Sequence, residues 1–136
     1  MHFNLLLPSL IRADWERIGA RLAPAVEVDP SRDLNVVFDG LMEGVFSLFD
    51  LELHAIDLLV VIEFADDGTC HLHYAAGSIG GKPREWLGRA RLLILLLEQL
   101  ARRHGCNELR LGGRDWSRIF PRYERGEMPN ELVGAL

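Results

Sequence analysis

Cysteine is scarce in this 136-residue chain. Only Cys70 and Cys106 occur, too few for a disulfide framework and without the paired spacing of a zinc site. Two thiols of this kind suit a reducing intracellular compartment, so no disulfide and no metal is expected. Long hydrophobic runs are also lacking. The run from Leu92 to Leu97 is bounded by Arg91 and Glu98, well short of the ~20 apolar residues that cross a bilayer, so no membrane segment is expected. The opening FNLLLPSLI has neither a basic leader nor a small-residue cleavage site, and is expected to form a first strand rather than a signal peptide. Repeats, low-complexity tracts and interdomain linkers are missing as well, which predicts one domain over residues 1–136.

Positive charge is the minority. Lys and Arg number 15 against 20 Asp and Glu, for a net charge of -5. Binding a phosphate backbone draws on clustered cations, so this balance excludes a general nucleic-acid binder. The cations are uneven, however, with eleven of the fifteen between Lys82 and Arg125. That half presents either a local basic face for a phosphate-bearing ligand or simply a solvated helix surface.

What the chain does have is apolar residues in register. A hydrophobic content of 49% suffices for one core without staples. His2 to Leu7 reads as a strand that Pro8 ends. Asp14, Trp15, Ile18, Leu22 and Ala23 follow helical spacing up to Pro24. Ser31 is the expected N-cap of a second helix striped by Leu34, Val37, Phe38, Leu41 and Met42, with Gly44 closing it. Val45 to Glu52 and Ile56 to Ala65 read as strands. Asp66-Asp67-Gly68 then supplies a tight turn, and Thr69 to Ala76 returns antiparallel.

Trp86, Ala90, Leu93, Leu97 and Leu100 recur at steps of three and four, predicting one buried helix face that Leu92, Ile94, Leu95 and Leu96 widen. His104 and Gly105 end this helix. Leu109 and Leu111 flank Arg110 in a short strand, and Trp116, Ile119 and Phe120 line a final helix stopped by Pro121. GSIGGK, residues 77–82, reads as a flexible strand exit and lacks the full P-loop pattern.

Strand, two helices, three antiparallel strands, a long helix, a strand and a short helix is the order of the GNAT superfamily of acyl-CoA-dependent N-acetyltransferases. The chain resembles that family over nearly its whole length. The likeness is closest in residues 84–123, where LEQLARRHGCNELRLGGRDWSRIFPRY is similar to the small GNAT-like proteins of phages and prophages. The resemblance implies an α/β (α+β) fold, with a mixed, mostly antiparallel sheet flanked by helices on both faces. It also implies the cytoplasm of a bacterial host or a virion as the location, and a homodimer or a virion-assembly protein as the partner.

Family enzymes place Arg or Gln, two residues, Gly, one residue, and Gly or Ala at the start of the long helix. The amides there bind the pyrophosphate of coenzyme A, because unpaired N–H groups and the helix dipole favour an anion. Here Gly88-Arg89-Ala90 matches the last part, and Glu85 holds the first position. The resemblance thus implies an acetyl-CoA site at Arg84, Gly88, Arg89 and Ala90, with the two arginines offsetting Glu85. Read as residues alone, Gly88 and Ala90 are close-packing positions of a first helical turn.

Acetyl transfer needs a base for the amine proton and commonly an acid for the departing thiolate. His71 and His73 lie two apart on a predicted strand and share a face. His73 is a candidate base and Glu63, on the neighbouring strand, is its candidate partner or an alternative base. The family's tyrosine acid falls nearest Phe120, and Tyr123, one turn onward, is the candidate substitute. The plain readings are packing histidines and an aromatic anchor. Glu85 and Phe120 at the two chemical positions point to a catalytically degenerate structural or interaction module; the alternative is an acetyl-CoA-dependent N-acetyltransferase with an unknown acceptor. The tail RGEMPNELVGAL is expected to add a single strand, leaving a sheet edge for a partner to complete.

Overall fold

Period-two alternation builds most of the sheet. In β3 (Ile56–Phe64), Ile56, Leu58, Val60 and Ile62 enter one core cluster while Leu59 and Val61 enter the other. A strand that is apolar on both faces must be covered on both. A computed structural model describes residues 3–53, 55–80, 82–112, 124–126 and 131–136. Ahead of β3 come β1 (Phe3–Leu6), α1 (Pro8–Ala13), α2 (Trp15–Glu27), α3 (Leu34–Glu43) and β2 (Ser47–Leu53). After it come β4 (Thr69–Ile79), α4 (Pro83–Arg103), β5 (Glu108–Leu111), β6 (Glu124–Arg125) and β7 (Leu132–Ala135).

Among the described residues the strands form one sheet in the order β1-β2-β3-β4-β5-β7-β6. Only β4 and β5 run parallel; every other neighbouring pair is antiparallel. The fold is therefore the expected mixed α+β class. On one face Ala90, Leu93, Ile94, Leu97, Leu100 and Ala101 of α4 pack against Leu51, Leu58, Val60 and Leu72. On the other, Ile18, Leu22, Val26, Val37 and Leu41 of α2 and α3 cover Leu48, Leu59, Val61 and Tyr74. Each such aliphatic side chain contributes about 1.5–3 kcal/mol when removed from water.

Local chemistry sets the ends of these elements. Gly68 turns the β3–β4 hairpin at φ +86, a conformation that glycine reaches without a Cβ clash, while Asp67 accepts from the Thr69 amide at 3.0 Å. Past the end of α4, Gly105 lies at φ +74. Its amide donates to the Arg102 carbonyl and that of Cys106 to the Ala101 carbonyl, both at 3.0 Å, the paired bonds of a Schellman ending.

Several sequence expectations shift. Pro8 opens α1 at its first turn, where a missing amide hydrogen costs nothing. Pro24 lies inside α2; it removes one helical bond, but buried Leu22 and Val26 on either side keep the helix seated. The N-cap of α3 is Asp33, whose side chain accepts from the Val36 amide at 3.0 Å, rather than Ser31. Strand β4 runs on through Gly77, Ser78 and Ile79, paired with Leu58, Asp57 and Ile56, so the first half of GSIGGK is strand rather than loop. Trp86 is 38% exposed and Leu95 is 58% exposed, so the buried face of α4 begins at Ala90 and its centre is not fully wrapped. Within the tail, Leu132–Ala135 form β7, the single strand expected there; β6 begins ahead of the tail at Glu124, and β7 lies between β5 and β6, pairing with β6 at Val133 and Leu132. The predicted helix with Trp116, Ile119 and Phe120, and Tyr123 after it, lies outside the described residues.

Candidate functional site

The site is created by an irregularity in β4. Val61 pairs with Tyr74, but Ile62 pairs with Leu72, so His73 is an extra residue opposite an unbroken β3. A bulge of this kind re-aims the side chains that follow it. Accordingly Cys70 and Leu72 belong to the α4-side core, whereas Tyr74 and Ala76 belong to the α2/α3-side core. On that second side His71 and His73 stack, with ring centroids 5.5 Å apart and planes 7° from parallel. Phe46 lies 5.1 Å from the His73 ring.

Among the described residues, the β4–β5 pairing ends beside the bulge. Their parallel pairing runs from Thr69↔Glu108 to Leu72↔Leu111, and the Gly112 amide donates to the Leu72 carbonyl at 2.9 Å. Among the described residues no strand pairs with β4 beyond that point on the β5 side.

His73 is held from both ring nitrogens. Its Nε2 lies 2.8 Å from Glu63 Oε1, and its Nδ1 lies 3.0 Å from Arg32 Nη1. A guanidinium only donates. Nδ1 must therefore be the acceptor, so the neutral ring carries its proton on Nε2 and donates to Glu63. Burial lowers the His73 pKa; the Glu63 hydrogen bond opposes that shift, and the charge of Arg32 reinforces it, leaving the group below its ordinary value.

A second bond follows one residue later. Tyr74 Oη donates to Asp29 Oδ2 at 2.6 Å, and Asp29 also accepts from the Ser31 amide and hydroxyl at 3.0 and 2.6 Å. Burial alone would raise the Asp29 pKa, but the Ser31 and Tyr74 hydrogen bonds and the Arg32 charge outweigh it and hold the carboxyl below its usual range. Burial and the Asp29 bond push the Tyr74 phenol up to about 12. Beside Tyr74, an open pocket of 480 Å³ lies between α2 and β4, lined by Ala20, Arg21, Pro24 and Val28 on one side and Ala76 and Gly77 on the other.

The residues assigned to a pyrophosphate are arranged differently from a vacant anion cradle. Pro83 brings no amide hydrogen, and the Lys82 amide donates to Glu85 Oε2 at 3.2 Å. The Glu85 amide itself donates to the Lys82 carbonyl at 2.8 Å. Arg89 donates to the Gly80 carbonyl at 2.5 Å and lies 3.5 Å from Glu85. Ala90 is fully buried in the core, while Arg84 and Gly88 are exposed. The start of α4 thus carries its own anion, which satisfies the dipole locally.

For cations, the described residues offer one cluster, in which carboxylate oxygens of Asp50, Glu52 and Asp57 come within 4.8 Å of one another. Arg21 Nη2 already bridges to Asp57 at 3.2 Å. Of the candidates named from sequence, Glu63, His71 and His73 come together, while Arg84, Gly88, Arg89 and Ala90 lie on α4. Tyr123 lies outside the described residues. Arg32, Asp29 and Tyr74 were not foreseen: Arg32 is 41 positions from His73 and Asp29 is 45 from Tyr74, and no local pattern links such pairs. No protein-family model matches the chain, and no curated protein matches it.

Proposed function

We propose that this chain is a GNAT-like protein of the phage or prophage kind whose acyl-transfer chemistry has lapsed, and that it serves as a structural or interaction module. The observation that carries the reading is the Glu85 carboxylate accepting from the Lys82 amide at the start of α4. A negative charge there repels a pyrophosphate, since the helix end can hold one anion and already does. The groups a transferase needs are likewise engaged: Arg89 with Gly80 and Glu85, and both His73 nitrogens with Glu63 and Arg32.

An interaction role draws support from the other end of the sheet. β1 is an outer strand, and Leu5, Leu7 and Leu10 are each more than half exposed along and after it, an apolar edge of the kind that associates with other chains. The partner is a second copy or a virion-assembly protein, met in the bacterial cytoplasm or in the virion. Isothermal titration with acetyl-CoA at millimolar concentration is expected to give no heat, and sedimentation velocity to give a species heavier than the monomer. Saturable binding with acyl transfer to an amine, from a protein sedimenting as a monomer, overturns the proposal.

The end of the β4–β5 pairing beside the Glu63–His73 pair favours one other reading, an acetyl-CoA-dependent N-acetyltransferase. There the thioester enters between the strands, and Glu63 or His73 takes the amine proton as the thiolate leaves. The same titration separates the two readings, because a ligand that binds only the folded state also raises its thermal midpoint.

A further inference from the structure

The connection between α2 and α3, residues 28–33, has few apolar anchors of its own: Val28, Pro30, Ser31 and Asp33 are exposed. Two side-chain bonds tie it to consecutive residues of β4. Tyr74 reaches Asp29 at 2.6 Å, and Arg32 reaches His73 at 3.0 Å while its guanidinium lies 5.3 Å from the centre of the Phe46 ring. The bulge makes this double tether available, since regular alternation would send His73 and Tyr74 to opposite faces.

The two ties differ in chemistry. The tyrosine bond runs from a phenol to a carboxylate and needs no vacant nitrogen. The arginine bond needs the lone pair of His73 Nδ1, which exists only in the neutral ring. A proton taken up from solvent binds Nδ1, since Nε2 already carries one. The Arg32 N–H···N bond then breaks, and two cations face each other at hydrogen-bond distance. Glu63 stays paired with Nε2–H and is strengthened as an acceptor by the ring's charge.

We infer that Arg32 and His73 form a proton-operated latch, which holds the Arg32 end of the α2–α3 connection against β4 while His73 is neutral and releases that end when His73 is protonated. The groups that face His73 set the balance. Glu63 on β3 favours the proton; Arg32 on the connection and His71 on β4 oppose it. Asp29 is occupied by Tyr74 and Ser31, and the Arg32 charge also acts on Asp29 and Tyr74, so Arg32 keeps these neighbours when its bond to His73 breaks. Arg110 of β5 lies opposite His71 and is bonded to Glu108 and Glu131, and Arg21 of α2 faces Asp57. Because Val28 at the start of the connection lines the pocket beside Tyr74, release loosens one wall of that pocket while the Tyr74 tie stays in place. The inference does not depend on whether the chain binds coenzyme A.

Nitrogen NMR of the His73 ring, followed with amide hydrogen exchange of residues 28–34 between pH 8 and pH 5, tests it. The neutral ring should show the Nε2–H tautomer. Exchange in the connection, corrected for intrinsic pH dependence, should rise about tenfold per pH unit on the approach to the His73 midpoint, as the protonated fraction does. Arg32→Met should abolish that pH dependence and move the His73 midpoint upward. Tyr74→Phe, which leaves the latch as the remaining tie, should enlarge the low-pH exchange. An Nδ1–H tautomer, a connection whose protection ignores the His73 titration, or an Arg32→Met variant with an unmoved midpoint would each overturn the latch.

Discussion

The two faces of the sheet use the same alternating strands to opposite ends. On the α4 side, contact is apolar almost throughout, from Phe3 and Leu51 to Leu93, Leu97 and Leu109. On the α2/α3 side an apolar floor of Leu22, Val37, Leu59 and Val61 gives way at β4 to an ordered set of polar side chains, Glu63, His73, Arg32, Tyr74 and Asp29. The first face holds the fold together by burial. The second adds directional bonds whose strength depends on protonation, and it carries the exposed α2–α3 connection. Apolar burial and the protonation-dependent bonds of His73 thus lie on opposite faces of one sheet.

The contrast predicts a graded set of responses. Leu93, wholly buried, should cost about 2–5 kcal/mol when changed to Ala, read from urea unfolding, because lost transfer energy adds to a residual cavity. Changing Tyr74 to Phe should cost about 1.5–3 kcal/mol, the range for a hydrogen bond to a charged acceptor, and towards the lower end because Asp29 keeps Ser31. Changing Glu85 to Gln should cost about 0.3–1 kcal/mol, its charge at the start of α4 being lost. The same substitution should leave acetyl-CoA binding absent, because Arg89 stays bonded to the Gly80 carbonyl and Pro83 offers no amide hydrogen; binding restored by it would locate the block at Glu85 alone. Leu95 to Ala, on the exposed side of α4, should stay within ~0.5 kcal/mol.

Acid should weaken the polar face through His73. The folded His73 pKa lies below the unfolded value of about 6.5. The unfolded chain therefore binds more protons in the window between them, and stability falls as pH drops from about 6.5 through the folded value. Denaturation midpoints measured across that window in the parent and in His73→Gln should differ in slope, with the variant flatter. Equal slopes would assign the acid response elsewhere.

How much of this was legible in advance follows the range of the interactions. The β3–β4 hairpin was readable because Asp67 and Gly68 act within four residues. The pairing of Glu63 with His73 was within reach of the same hairpin register, ten positions apart. Gly44 and Gly105 mark helix ends by their own backbone chemistry. Pro24 misled, because a proline's local cost is outweighed by buried neighbours that only packing supplies. Ser31 misled for a different reason: its hydroxyl serves Asp29 instead of the helix, leaving the cap to Asp33.

By itself, the sequence determined where apolar periodicity places strands and helices, that both faces of the central strands are covered, and that α4 is a helix buried along one side. Those outcomes depend on residues within a turn or two of each other. Tertiary structure alone decided the insertion of β7 between β5 and β6, the bulge that turns His73 and Tyr74 to one face, and the meeting of Arg32 with a ring 41 positions away. Such pairings are chosen by the summed packing of the whole sheet and its helices, and no local energy in the chain distinguishes them from their alternatives until that packing forms.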